Sequence, residues 1–328
     1  PVRPPKAENV LFYPTAAAAA EAGYRPCLRC RPEAAPGSPA WFGTAATVSR
    51  GLRLIEEGAL DGDGTVERLA DRLGVGARHL GRLFRKHLGA SPRAVAGTRR
   101  LLFAKKLINE TDLPLAEIAL SSGFGSIRRF NAAFRGSYGC APSALRRGAP
   151  LRHGGDADGD PGGEFSLRLP YRPPFDWESL AGYFALRATP GVESVDGDGY
   201  RRTIALDGQA GRIHVRPLEG ENALMLHVVL PESRPLFAIV ERVRRLFDLA
   251  ADPDDIAARL GRDAGLAPML AAHPGLRLPG AWDGFELTVR AILGQQVTVK
   301  GASTLAGRLA AAFGERLPAA DGAATLFP

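Results

Sequence analysis

Two hydrophobic periods alternate along this chain of 328 residues. From Ala94 to Asn109, Val95, Leu102, Ala104, Leu107 and Ile108 recur at helical spacing, which predicts a helix facing a core. Beyond Glu164 the period shortens. "EFSLRLP", "YRRTIAL", "GRIHVRP" and "ALMLHVVL" alternate as strands do. A helix is expected from about Asp176, an N-cap residue type, and an amphipathic one in "PLFAIVERVRRLFDLAAD". The helical period then returns, with two apolar-periodic helices flanking Gly294-Gln295-Gln296. The run Ala16 to Ala20 asks only for good helix propensity.

The helical stretch Ala94–Asn109 lies between two copies of one pattern. "LADRLGVGARHLGRLFRKHLGASP" runs from Leu69 and "IALSSGFGSIRRFNAAFRGSYGCAP" from Ile118. Ala70 matches Ala119, Gly74 matches Gly123, and Gly76 matches Gly125. After one extra residue, Leu80 matches Phe130, Phe84 matches Phe134, Gly89 matches Gly139, and Pro92 matches Pro142. Each copy reads as helix, glycine turn, helix: the small Ala lets the helices cross closely and Gly makes the turn. Such a pair suits the major groove, second helix foremost. The candidate groove residues are Ala77, Arg78, His79 and Arg82, then Ser126, Ile127, Arg128, Arg129 and Asn131. Arg and Asn make paired bonds to guanine and adenine edges, although phosphate contacts are the more numerous class. The segment from about Thr47 to Arg147 resembles the AraC-type activator DNA-binding domain.

Charge supports a polyanion partner for the front half. Residues 1–150 carry 23 basic against 12 acidic side chains, a net of +11, while the remainder carries 19 against 23, a net of −4. Apolar residues make up 45% and charged residues 23% of the chain, as in soluble globular proteins. No apolar run approaches the roughly 20 residues that span a bilayer, so no membrane partner is expected. Three cysteines are too few for a disulfide framework and imply a reducing compartment. "APGSPA" at Ala35 and the Gly-, Asp- and Pro-rich stretch Arg146–Glu164 read as loop and linker; His153 within the latter carries no expected role.

Cys27 and Cys30 stand in Cys-x-x-Cys spacing, which suits two ligands of a zinc ion or a redox pair. No thioredoxin-like strand and helix surround them, which weakens the redox reading. Arg25, Arg29 and Arg31 interleave with them, as phosphate contacts or as a solvated basic loop. Cys140, in the closing turn of the second repeat, reads as a small core residue. The stretch from Arg3 to Glu33 is similar to the second half of the zinc domain of Ada-type adaptive-response proteins. That resemblance implies zinc, held in this chain by a half-site only. The family's other two ligands form an upstream Cys-x-x-x-Cys, whose first thiolate accepts a methyl group from a DNA methylphosphotriester.

From about Phe165 onward the chain resembles an AlkA-type 3-methyladenine DNA glycosylase. "PGLRLPGAWDGFELTVRAILGQQVTV" is the most specific part and matches the start of that family's helix–hairpin–helix domain. The family flips a damaged base out of the duplex and fills the gap with a side chain just after the Gly-Gln pair. The well-known members use Leu there. This chain offers Gln295 and Gln296, and Gln also serves in related glycosylases. The catalytic Asp implied by the resemblance is expected downstream of Pro328 and the methyl-acceptor Cys upstream of Pro1, so no catalytic residue is expected within the chain. Asp283 and Glu286 read as a helix cap and a surface residue, and His214 and His227 as structural strand residues.

The expected protein is multidomain, mainly α plus α+β. It comprises a partial zinc domain (1–36), an all-α tandem helix-turn-helix domain (47–147), a linker (148–163), an AlkA N-terminal-like α+β domain (164–279) and the start of an all-α helix–hairpin–helix domain (280–328). The resemblances imply an activator fused to a glycosylase that hydrolyses the N-glycosidic bond of alkylated bases. Its partners would be double-stranded promoter and alkylated DNA and RNA polymerase, in the cytoplasm at the bacterial nucleoid. The parent protein would be the enzyme, with methyl transfer as a second activity. The 328 residues alone, beginning at Pro1 and reading as cut at both ends, are expected to be inactive. The alternative is an AraC-type regulator whose back half is a non-catalytic DNA clamp.

Overall fold

The computed structural model describes residues 10–13, 15–24, 46–147, 163–317 and 324–328. Cys27, Cys30, the arginines beside them, and His153 with the linker around it lie outside these residues.

The helical half begins with α1 (Ala16–Glu21), capped by Thr15, whose hydroxyl accepts from the Ala18 N–H and donates to the Leu88 carbonyl at 3.0 Å. It continues through α2 (Ala46–Glu56), α3 (Val66–Arg72), α4 (Ala77–Leu88), α5 (Pro92–Glu110), α6 (Leu115–Ser121), α7 (Ile127–Tyr138) and α8 (Pro142–Arg147). The repeat is visible in the backbone. Gly89 and Gly139 close α4 and α7 with the same φ of 70° and ψ of 5°. Gly123 turns the chain between α6 and α7 at φ 81°, where a Cβ would meet the Asp61 carboxylate at 2.5 Å. That carboxylate is in turn held by Arg100 at 3.0 Å.

Helix α5 starts at Pro92 under a Ser91 cap. Its first turns, with Val95 and Ala96, pack in a core with Leu52, Leu69, Leu80 and Phe84. Its later turns, with Phe103, Leu107 and Ile108, join Ile118, Phe130 and Phe134 in another. Leu102, expected to face the core, is only half-buried, and Phe103 takes the inward position.

The α+β layer comprises β1 (Gly163–Pro170), α9 (Trp177–Arg187), β2 (Glu193–Asp196), β3 (Gly199–Leu206), β4 (Gln209–Pro217), β5 (Ala223–Leu230), α10 (Leu236–Leu246), α11 (Pro253–Leu260) and α12 (Ala267–Ala272). The sheet runs β1-β5-β4-β3-β2 with every neighbour antiparallel. Alternate residues of β5, Leu224, Leu226, Val228 and Leu230, turn into the core. Asp176 caps α9 as expected, its carboxylate accepting from the Ser179 N–H at 2.9 Å. Phe184 from α9, Tyr200 from β3 and Phe247 just past α10 stack edge-to-face or tilted within 5.5 Å of one another. The four-residue β2 and the helices α11 and α12 were not legible in the sequence. Neither of those two helices has a buried residue.

The tail carries α13 (Gly284–Leu293), α14 (Val299–Phe313) and a small ladder of β6 (Arg316–Leu317) with β7 (Ala324–Thr325). Trp282 is buried in the same core as the sheet, and the Thr203 hydroxyl donates to the Thr325 carbonyl at 2.7 Å. Packing therefore continues across position 279. No helix among the described residues is long and apolar enough to cross a membrane.

Candidate nucleic-acid interface

Helices α4 and α7 are anchored by matching apolar triplets. Leu80, Phe84 and Leu88 are buried on one, Phe130, Phe134 and Tyr138 on the other. A 3.6-residue turn then puts the remaining positions outward. Arg78, His79 and Arg82 are exposed on α4, and Ile127, Arg128 and Arg129 on α7. The Arg82 guanidinium donates to His79 Nδ1 at 2.9 Å, tying the first turn together. Ala77 and Asn131 are half-buried. Ser126 spends its hydroxyl as the N-cap of α7, accepting from the Arg129 N–H at 3.2 Å, so it sets the helix start. Ile127, 47% exposed, offers an apolar surface of the kind that meets a thymine methyl. Arg85 and Arg135 were missed in the sequence: each lies seven residues after Arg78 or Arg128, two turns along the same face, and both are exposed.

The second element is the turn between α13 and α14. Asp283 caps α13, accepting from the Glu286 N–H at 2.8 Å, and Thr298 caps α14, accepting from the Gly301 N–H at 3.1 Å. Between them Gln295 and Gln296 are exposed. The Gln295 side chain folds back onto the Ala291 carbonyl at 3.1 Å. Gln296 instead takes a φ of 58°, in the left-handed region that a non-glycine residue enters only at a cost. Next to this turn lies a cavity of about 350 Å³, with Gly294 and Val297 of the turn in its wall and Tyr183, Phe184, Trp282 and Leu287 as its larger apolar surfaces. Arg187 lies over the Tyr183 ring at 3.9 Å.

The floor of that cavity is ionic. Arg202 of β3 pairs with Glu193 of β2 at 2.7 Å and also with Glu286 of α13. Arg290, one turn on from Glu286, reaches both carboxylates at 3.1 Å and donates to the Arg187 carbonyl. The Tyr200 hydroxyl donates to Glu193 at 2.8 Å. The Trp282 ring receives Arg202 and Arg242, each 5.3 Å from its centroid. Burial acts to raise the Glu193 pKa, but Arg202, Arg290, the Tyr200 hydroxyl and the Thr189 N–H together hold it below the ordinary carboxylate value. The expectation that Glu286 is a surface residue is overturned. It is 3% exposed, because α13 lays that side chain inward on Arg202.

Three family models match this chain in order: the metal binding domain of Ada over residues 1–33, a helix-turn-helix domain over 69–148, and the AlkA N-terminal domain over 166–283. The front of the chain is thus similar to Ada in its metal binding domain, and the back to AlkA in its N-terminal domain. A probable bifunctional transcriptional activator/DNA repair enzyme AlkA of Mycobacterium tuberculosis (strain H37Rv) is 44% identical over 325 residues, 99% of this chain and 64% of that protein. The chain thus spans a little under two-thirds of that relative's length. DNA-3-methyladenine glycosylase 2 of Escherichia coli K12 is 38% identical over 149 residues, 45% of this chain and 51% of its own. The bifunctional transcriptional activator/DNA repair enzyme Ada of the same organism is 38% identical over 87 residues, 26% of this chain and 23% of its own.

The Ada-type front thus contributes two exposed basic helix faces, and the AlkA-type back an exposed turn beside a cavity. Cys140 of the Ada-type front is half-buried at the edge of the second core, in keeping with a packing role. His214 and His227 of the AlkA-type back stack across β4 and β5 with centroids 5.8 Å apart, and His227 accepts from or donates to the Ser166 hydroxyl at 2.8 Å. Among the described residues no three His, Cys, Asp or Glu side chains gather as a metal site.

Proposed function

We propose that this chain belongs to a protein that reads promoter DNA through α4 and α7, activates transcription with RNA polymerase as its partner, and removes alkylated bases by hydrolysing their N-glycosidic bond. The observation that carries the repair half is Gln296. It is exposed in the α13–α14 turn, in a left-handed backbone conformation, next to Val297, which with Gly294 lines a cavity walled by Tyr183, Phe184 and Trp282. Strain at an exposed tip is retained where the side chain has a task. A Gln there fills the space a flipped base leaves and hydrogen-bonds its widowed partner, while a cavity with aromatic walls over a charge-paired floor suits the base itself. The names of the relatives, activator/repair enzyme and glycosylase, support this reading over a regulator with a non-catalytic clamp.

The reaction needs a carboxylate to stabilise the cationic sugar and a positioned water. Glu193 and Glu286 border the cavity, but each is neutralised by two guanidiniums and is not free for that role. Neither is assigned to catalysis. In the Ada-type front, Cys27 and Cys30 would supply two thiolates to zinc. The match to the metal binding domain of Ada supports methyl acceptance from DNA as a further activity of the whole protein. The reading places the protein in the bacterial cytoplasm, at the nucleoid. The test is base release from methylated duplex by the full-length gene product. Release of 3-methyladenine that falls in a Gln296→Ala variant supports the reading, and absence of release overturns it.

A further inference from the structure

The family boundary and the packing boundary do not coincide. The first helix-turn-helix has a core of its own, whereas the second shares one continuous apolar core with the five-stranded sheet. Helix α5 makes the junction. Phe103 on it stacks on Phe237 of α10, ring centroids 4.4 Å apart and 26° from parallel. Arg99, one turn earlier, lies 4.9 Å from the same ring and pairs with Glu241 of α10 at 3.0 Å. Ser121 at the end of α6 meets Ser233, hydroxyl to hydroxyl, at 2.7 Å.

Farther along α5, Lys106 and Glu110 do what a neighbouring strand would. β1 is an edge strand, and an edge leaves N–H and C=O groups unpaired. Lys106 donates to the Arg168 carbonyl, and Glu110 accepts from the Arg168 N–H at 2.9 Å. The two side chains pair with each other at 2.8 Å, buried beneath the contact. Two buried opposite charges, placed four residues apart on a helix, satisfy the outward backbone groups of one edge-strand residue 58 to 62 positions away.

We infer that the second helix-turn-helix and the AlkA-type sheet form one cooperative body, with the α10 and β1 surface as the fixed dock of α5. DNA gripped by α7 and the turn at Gln296, whose helix α13 is pinned to the sheet by the Arg202–Glu286 pair, are then held in a single relative orientation, and α7 does not reorient without opening the shared core. The two functions of the fusion are mechanically coupled rather than tethered. The shared body rests on packing alone, and its coupling of two functions rests on the function proposed above.

Native-state hydrogen exchange on the full chain tests it. With the two parts as one body, amides of α7 and of β5 follow one common denaturant dependence. Glu241→Arg sets like charges against Arg99 and should separate them, with α7 opening about tenfold more readily than β5. The charge-swapped pair Arg99→Glu with Glu241→Arg should bring the two back together. Independent opening of α7 and β5 in the unaltered chain would overturn the inference. So would a Glu241→Arg chain in which they still open together, or a swapped pair that leaves them apart.

Discussion

Arg202 on β3 and Glu286 on α13, 84 residues apart in the chain, form a buried ion pair. It is shared with Glu193 and Arg290, two positive and two negative groups in all, and it fixes the helix that carries the exposed turn onto the sheet. Removing one member leaves the others desolvated without a counter-charge. Glu286→Ala should therefore cost about 3–5 kcal/mol in denaturant unfolding. A loss under about 0.5 kcal/mol, the size expected at a surface position, would show that the pair does not hold the helix.

The same cluster sets a response to acid. Glu193 has a folded-state pKa below its ordinary value of 4.5 because the surrounding donors outweigh burial. Its contribution is complete above that ordinary value and is lost as pH falls through the lowered one. The difference in stability between the native chain and Glu193→Gln should stay constant above about pH 5 and shrink below it, read from urea midpoints at each pH. A difference that grows on acidification would contradict the assigned direction.

Arg128 is exposed in the first turn of α7. Arg128→Ala should weaken binding to a specific promoter by about 1–3 kcal/mol and leave binding to random duplex nearly unchanged. Equal losses on both duplexes, in titrations at one salt concentration, would make Arg128 a phosphate contact.

Gln296 combines a left-handed backbone with an exposed side chain. Gln296→Gly relieves the φ of 58°, so thermal stability should hold or rise by less than about 1 kcal/mol, the strain released being offset in part by the entropy of glycine. Base release by the full-length protein should nevertheless fall, with binding to undamaged duplex retained. Unchanged release would reduce Gln296 to a turn residue.

Cys27 and Cys30 offer zinc two thiolates where a closed structural site takes four ligands. Zinc added to this 328-residue chain should be stripped by a mild chelator, and Cys27→Ser with Cys30→Ser should abolish what binding there is. Metal analysis giving one zinc per chain after chelation would show that other side chains complete the site.

Local pattern was enough for the helix-turn-helix pairs and four of the five strands of the sheet. Ala70 and Ala119 at the crossings, Gly89 and Gly139 at the helix ends, and the alternation along β5 each state a requirement met within a few residues. The exposed faces of α4 and α7 followed from the same periodicity, as did the two helices around Gln296. Tertiary structure alone decided the rest. Nothing in the neighbourhood of Glu286 tells it from a solvated helix glutamate, because the guanidinium that buries it comes from a strand 84 residues earlier. Lys106 and Glu110 carried no sequence signal of their role, because Arg168, whose backbone they bind, lies 58 to 62 residues farther along the chain. Helices α11 and α12 are short and bury no residue. Periodicity records which face of an element turns inward. The partner that waits there, and whether the partner is a hydrocarbon or a charge, is set only when distant segments meet.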